Sequence, residues 1–192
     1  VSRDPYWNHN THYHPWLLAT APSSARTALD VGCGDGLLAG KLAAHCREVV
    51  GIDADAAALA QASGADGVRF EHADFRDFPG TFDYVTAVAT LHHVPLEEGL
   101  TALRRLVAPG GTLAVVGLWK MSARRDAAYL PLLPLIWAID QYPPRQSEPD
   151  VPMRDPVDTL DDIRACAATI LPGARIRRRL MWRYTLLWRR PA

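Results

Sequence analysis

The stretch Ala28-Leu29-Asp30-Val31-Gly32-Cys33-Gly34-Asp35-Gly36 decides how this chain is read. A short apolar run, Thr27 to Val31, ends in three glycines at alternate positions, and a helical pattern, Leu37 to His45, follows at once. Glycine lets the backbone turn tightly and lets a ligand approach it closely. The helix behind the loop presents free N–H groups to an anion. Strand, glycine turn and helix in this order form the start of a nucleotide-binding α/β unit, although the glycines alone are a weak signal.

The flanking segments supply what the loop lacks. A second strand, Glu48 to Asp53, ends in an acid placed to bond ribose hydroxyls. An Ala-rich helix runs from Asp55, its N-cap, to Ser63. A third strand, Val68 to His72, is followed by Asp74, where a carboxylate can receive an adenine amino group. The fourth strand, Phe82 to Ala89, is apolar almost throughout, as a strand covered on both faces should be. An amphipathic helix, Leu96 to Val107, stops at Pro109-Gly110-Gly111, and Thr112 to Trp119 is a fifth strand. The alternation predicts a parallel sheet with helices on both faces. Residues 73–81 are too few for a crossover helix, so a loop or single turn is expected there. Prolines crowd residues 120–157 and argue against long regular elements. A helix is expected over Thr159 to Leu171, started by Asp158. Arg175 to Arg190 reads as β, with no strong turn signal inside it.

Taken together, LDVGCGDG, VVGID, HADF, FDYVTAVATLHHV and LVAPGGTLAVV resemble, in order and spacing, the class I S-adenosylmethionine-dependent methyltransferases of the small-molecule branch. The resemblance covers about residues 27–119. It implies a single Rossmann-like doubly wound α/β domain over residues 27–192, with seven strands in the order 3-2-1-4-5-7-6 and strand 7 antiparallel. Residues 1–26 would form an N-terminal lid, in which Tyr6, Trp7, His12, Tyr13 and Trp16 bound the pocket, or a cap packed on the sheet, and residues 120–157 a substrate-side insertion. S-adenosyl-L-methionine is the implied cofactor. Asp30, Gly32 and Gly34 would flank its methionine part, Asp53 its ribose, and Asp74 with Phe75 its adenine. The carbonyl of Ala89 would take the methionine amino group, and Gly36 and Ala54 complete the set. A dinucleotide fingerprint fits less well. Counted from Gly32 it places Leu37 at the third glycine; counted as Gly34-x-Gly36-x-x-Ala39 it starts two residues late and leaves Gly32 without a role.

Methyl transfer is a displacement at a sulfonium carbon, so positioning does most of the catalysis. A base is needed only when the acceptor must lose a proton. The candidates are His92 and His93, after the fourth strand, and His14 in the N-terminal segment. Pro15 is expected to hold His14 extended and aim its ring inward; the plainer alternative is that these rings only pack. His9, His12 and His14 have no Cys or carboxylate beside them to complete four ligands, so no metal is expected. Cys33 reads as structural filler. Where nucleic-acid amino-methyltransferases carry an Asn/Asp-Pro-Pro-Tyr tetrad, this chain has Ala89-Thr90-Leu91-His92, and Pro143-Pro144 follows the fifth strand instead.

Composition narrows the partners. The chain has 192 residues, with 21 Lys+Arg against 21 Asp+Glu, which argues against a nucleic-acid partner. Eight arginines between Arg164 and Arg190, with no acid among them, read as a solvated sheet edge, the alternative being a site for an anionic substrate or RNA. Three scattered cysteines point to a reducing, cytoplasmic setting. No basic region followed by an apolar segment opens the chain, and no apolar run reaches the roughly 18 residues of a membrane span. The apolar, aromatic stretch Tyr129 to Tyr142 is expected to wall the substrate pocket. The expected activity is methyl transfer to a small molecule with an apolar or aromatic body, by a monomer or homodimer. The alternatives are a protein that binds the same cofactor without methyl transfer, and an NAD-type oxidoreductase.

Overall fold

Side chains alternate across a strand, and in β1 (Thr27–Val31) this alternation separates two core layers. The computed structural model describes residues 6–62, 67–122, 126–140 and 154–192. Leu29 and Val31 join one layer, with α4 (Leu96–Leu106) and α6 (Leu160–Ile170) supplying Leu100, Leu103, Leu106, Ile163 and Ala167. Ala28 joins the other, with Leu17 of α1 (His14–Thr20) and Leu38 and Leu42 of α2 (Leu37–Leu42). Each fully buried leucine contributes about 1.5–3 kcal/mol.

β2 (Glu48–Asp53), β3 (Val68–His72), β4 (Phe82–Val88), β5 (Val107–Leu118), β6 (Arg175–Arg178) and β7 (Arg183–Arg189) complete a seven-stranded sheet in the order β3-β2-β1-β4-β5-β7-β6. β1 to β5 run parallel, and β7 is antiparallel to both of its neighbours. The implied topology is the one observed. Strand order reverses between β1 and β4, and that reversal opens a crevice at their carboxyl ends. No helix among the described residues is long and apolar enough to cross a membrane.

Local chemistry fixes the ends of the elements. Asp55 caps α3 (Ala56–Leu59), its carboxylate accepting from the N–H groups of Ala57 and Ala58. The helix is shorter than the expected run to Ser63: it ends at Leu59, and Ala60 and Gln61 form a turn. α6 is capped by Thr159 rather than Asp158: Thr159 and Asp162 form a reciprocal capping box, which satisfies one more donor than Asp158 alone would. Residues 73–81 carry no helix, as their number requires; Arg105 of α4 holds them by donating to the carbonyls of Phe78 and Phe75. β5 begins at Val107, earlier than expected, because Val107 pairs with Phe82 before a register shift. The proline-rich region carries only short elements among the described residues, the longest an eight-residue helix, α5 (Leu133–Asp140). Pro134 sits in its first turn, where a missing N–H costs nothing.

The β6–β7 turn is the least legible element. Met181 and Trp182 both adopt left-handed φ, +57° and +55°, where Asn-Gly is the usual choice. Packing outweighs the strain. Met181 is fully buried, the Tyr13 hydroxyl donates to the Leu180 carbonyl at 2.8 Å, and Arg183 donates to the Met181 carbonyl. The arginine-rich tail is therefore not simply a solvated edge. Arg183 is buried and forks onto the side-chain Oδ1 of Asn10 at 3.0 and 2.8 Å, Arg178 pairs with Asp126, and Arg190 donates to the Val107 carbonyl.

Candidate active site

The three loop glycines do different work. All have positive φ. A Cβ on Gly32 would stand 2.2 Å from Thr90 Oγ1, and that hydroxyl is fixed by bonds to the carbonyls of Val31 and Val88. A Cβ on Gly36 would strike the Phe70 ring at 2.5 Å. On Gly34 it would meet nothing within 4 Å, so this residue forms the open side of the loop, where a ligand can lie against backbone. Gly32→Ala is expected to lower folding stability by about 2–4 kcal/mol, from backbone strain and clash together. Gly34→Ala should cost only about 1–2 kcal/mol in stability and lose cofactor affinity instead. Denaturant titration beside calorimetric titration separates the two effects.

The acids converge on this opening. Asp53, at the end of β2, accepts from the Gly34 N–H at 2.9 Å and from the Asp55 N–H at 2.9 Å. Each carboxylate oxygen keeps a lone pair for a further donor. Ala54, beside it, has its carbonyl 3.0 Å from His72 Nε2. Asp30 is buried and lies level with Thr86 on β4, whose hydroxyl donates to it at 2.8 Å. Burial, reinforced by the nearby charges of Asp53 and Asp35, pushes its pKa up to about 7. In the unfolded chain Asp30 ionises near 3.8, so between about pH 4 and 7 the native state holds a proton that the unfolded state has lost. Its contribution to stability therefore falls as pH rises through that window and levels above it. Asp30→Asn should remove that fall, stabilising the ligand-free protein by roughly 2–4 kcal/mol at pH 8 and hardly at pH 4. Denaturant melts at the two pH values test this; equal effects at both would contradict it.

Ala89 follows β4 with φ +51°, a strained value for a residue with a side chain, while its N–H bonds the Val116 carbonyl at 2.8 Å. Asp74 lies beyond β3, half-exposed and ion-paired with Arg76 at 2.7 Å. That hydrogen-bonded partner holds its carboxyl below the usual range. The Phe75 ring is buried in the core, so only its backbone is available to a ligand.

The two histidines after β4 come together in a short 3-10 turn, Leu91–His93, with ring centroids 4.2 Å apart. Burial is the main cause lowering both pKa values, that of His92 to about 4. His93 and Arg154 also disfavour a charge on His92, and Asp53 partly offsets the effect on His93. Nδ1 of His92 is buried without a hydrogen-bond partner among the described residues. His92 lines a cleft with Leu96, Leu118, Pro156, Asp158 and Tyr184.

His14 is placed differently from expectation. It is the first residue of α1, helical at φ −55° and ψ −43°, because Pro15 falls in the first turn, where proline is tolerated. Its ring is buried, with Nδ1 3.0 Å from Lys41 Nζ on α2. His9 and His12 stand edge-on to Trp7, and no group of three or more His, Cys, Asp or Glu among the described residues is arranged to hold a metal. The Tyr6 hydroxyl, expected as part of the lid, donates to Asp35 of the glycine loop at 2.7 Å. Cys33 is buried, and burial pushes its thiol pKa up, as befits a packing residue.

Comparison with known proteins places this geometry. A methyltransferase domain model matches residues 28–111. An uncharacterized methyltransferase of Mycobacterium tuberculosis (strain ATCC 25618 / H37Rv) is 40% identical over 201 residues, covering 98% of this chain and 99% of that protein. This chain belongs to the class I S-adenosylmethionine-dependent methyltransferases. The methyltransferase is also 34% identical over 127 residues to a ubiquinone biosynthesis O-methyltransferase of Paraburkholderia xenovorans, covering 55% of this chain and 54% of that one. Its fold matches the S-adenosylmethionine-bound structure of an amino pentose methyltransferase, CalS10, of Micromonospora echinaspora, with TM-score 0.64, 19% identity, and coverage of 94% and 89%.

The site fits the family's cofactor. Gly34 leaves a backbone cradle that a side chain would fill. Asp53 aims a carboxylate with spare lone pairs across it, and Asp30 places a buried acid beneath. Such a set suits a ligand with ribose hydroxyls and positive charge.

Proposed function

We propose that this methyltransferase acts on a small molecule with an apolar or aromatic body, at a hydroxyl group, and without a metal ion. The observation that carries this is the turn after β4, where the imidazoles of His92 and His93 stand 4.2 Å apart, with His92 beside a small apolar recess walled by Leu91, Leu96, Leu118 and Ile163. Similarity to an O-methyltransferase supports the hydroxyl. S-adenosylmethionine, held by Asp30, Gly32, Gly34, Gly36, Asp53, Ala54, Asp74, Ala89 and the Phe75 backbone, supplies a methyl carbon already activated by its sulfonium. The chain itself does the rest. Asp53 fixes the glycine loop and orients what lies on it. His93 accepts the acceptor's proton, since its lowered pKa keeps it unprotonated at neutral pH. His92, neutral and partly buried, offers its buried Nδ1 as a polar group in the wall of the recess. Residues 6–26 cover the loop as a docked wall, latched by Tyr6 on Asp35 and by Asn10 on Arg183. Ile136 of α5 packs beside Met181 in the same layer and extends that wall; the far end of the Tyr129–Tyr142 stretch lies outside the described residues.

Incubation with methyl-labelled S-adenosylmethionine and a cell extract freed of macromolecules tests this reading. Label is expected in a small, organic-soluble product. Label that appears only when RNA or protein is supplied would contradict it.

A further inference from the structure

Arg154 stands on the rim of the same mouth. Its Nη1 donates to the His93 carbonyl at 3.0 Å, and the segment it opens runs on along the cleft, which Pro156 and Asp158 line. Some guanidiniums of the fold are answered by carboxylates, Arg76 by Asp74 and Glu98, Arg164 by Asp161 and Arg178 by Asp126, while others, Arg105 and Arg190 among them, donate to backbone carbonyls. Arg154 forms no ion pair among the described residues. One of its five N–H donors is engaged, by a neutral carbonyl, and the remaining fork has the planar geometry that matches a carboxylate. Of the nearby acids, Asp53 holds the N–H groups of Gly34 and Asp55, while Asp158 lines the recess beside His92 and burial raises its pKa. A single hydrogen bond thus joins the exposed guanidinium to the backbone of the residue that carries the base.

We propose that Arg154 anchors a carboxylate of the acceptor, so that the substrate class is a hydroxylated carboxylic acid with an apolar or aromatic body. This rests on the small-molecule reading above. Arg154 sets specificity: it grips the acid group while His93 faces the hydroxyl. A lysine would supply charge without the two-pronged fit.

The test uses two probes of nearly equal shape, 4-hydroxybenzoate and 4-hydroxybenzyl alcohol, titrated by calorimetry into the full chain saturated with S-adenosylhomocysteine. The acid is expected to bind roughly tenfold or more tightly than the alcohol, the ratio of one charge-assisted hydrogen-bonded contact. Arg154→Gln should remove that preference and leave the affinities for the alcohol and for S-adenosylhomocysteine unchanged, and Arg154→Lys should restore part of it. A merely structural arginine would, when replaced, weaken both probes alike. Equal affinities of the two probes in the unmodified protein, including no binding of either, would overturn the proposal, as would an unchanged preference in Arg154→Gln. Failure of the cofactor site itself is distinguishable, because S-adenosylhomocysteine would then not bind in the first titration.

Discussion

His93→Ala is expected to lower turnover of a hydroxyl acceptor by about 10²–10⁴ while the affinity for S-adenosylhomocysteine stays unchanged. The ring lies in the turn after β4, its pKa is lowered mainly by burial and then by Arg154, and the Asp53 charge offsets part of that effect. A base must be unprotonated to act. The pH profile should therefore rise through a pKa below the ordinary 6.5 and then level, and in His93→Ala that limb should vanish. His14→Ala makes the contrast. His14 is buried in α1 against Lys41, so its loss should cost roughly 1–3 kcal/mol of stability, with turnover per folded molecule near normal. Rates normalised to the cofactor-binding fraction decide between them. The opposite pattern would move the base to the N-terminal segment, and near-normal rates in both would leave positioning alone as the mechanism.

Asp53→Ala is expected to weaken cofactor binding by about 1.5–3 kcal/mol, the range for hydrogen bonds to a charged group. That corresponds to roughly 10- to 150-fold in Kd. Two losses combine. The carboxylate no longer faces the ligand, and the Gly34 N–H loses its acceptor, which loosens the loop. The fold should survive, because Asp53 ends β2 at the crevice and is only partly buried. Asp74→Ala should be milder, since Arg76 already engages that carboxylate and the Phe75 backbone stays in place. Normal binding by Asp53→Ala would remove it from the ribose.

How much of this was legible in the sequence depends on how local the cause is. The parallel core could be read because each strand is a short apolar run ended by its own signal: the glycines after Val31, the acid at Asp53, the Pro109-Gly110-Gly111 turn inside the β5 pairing. The crevice followed from strand order, and Gly34, Asp53 and Ala89 lie at or just past the ends of the strands that meet there, while Asp30 is buried within β1. The failures have distant causes. Pro15 suggested an extended His14, but the helix begins one residue earlier than the proline and absorbs it in its first turn. The β6–β7 turn carries no turn residues, since burial of Met181 and bonds from Tyr13 and Arg183 hold it in place. The arginine tail read as surface because nothing near Arg183 in sequence reveals that Asn10 is its partner. Arg154 was passed over for the same reason, and Tyr6 could be read only as a lid residue: the fold alone brings them to His93 and to Asp35.

Titration of S-adenosylhomocysteine into the chelator-treated protein, followed by calorimetry and set beside the same titration with NAD, measures the central claim directly. A single saturable site for S-adenosylhomocysteine, unaffected by chelation and weakened in Asp53→Ala, is the predicted result. Tight binding of NAD with none of S-adenosylhomocysteine would contradict it.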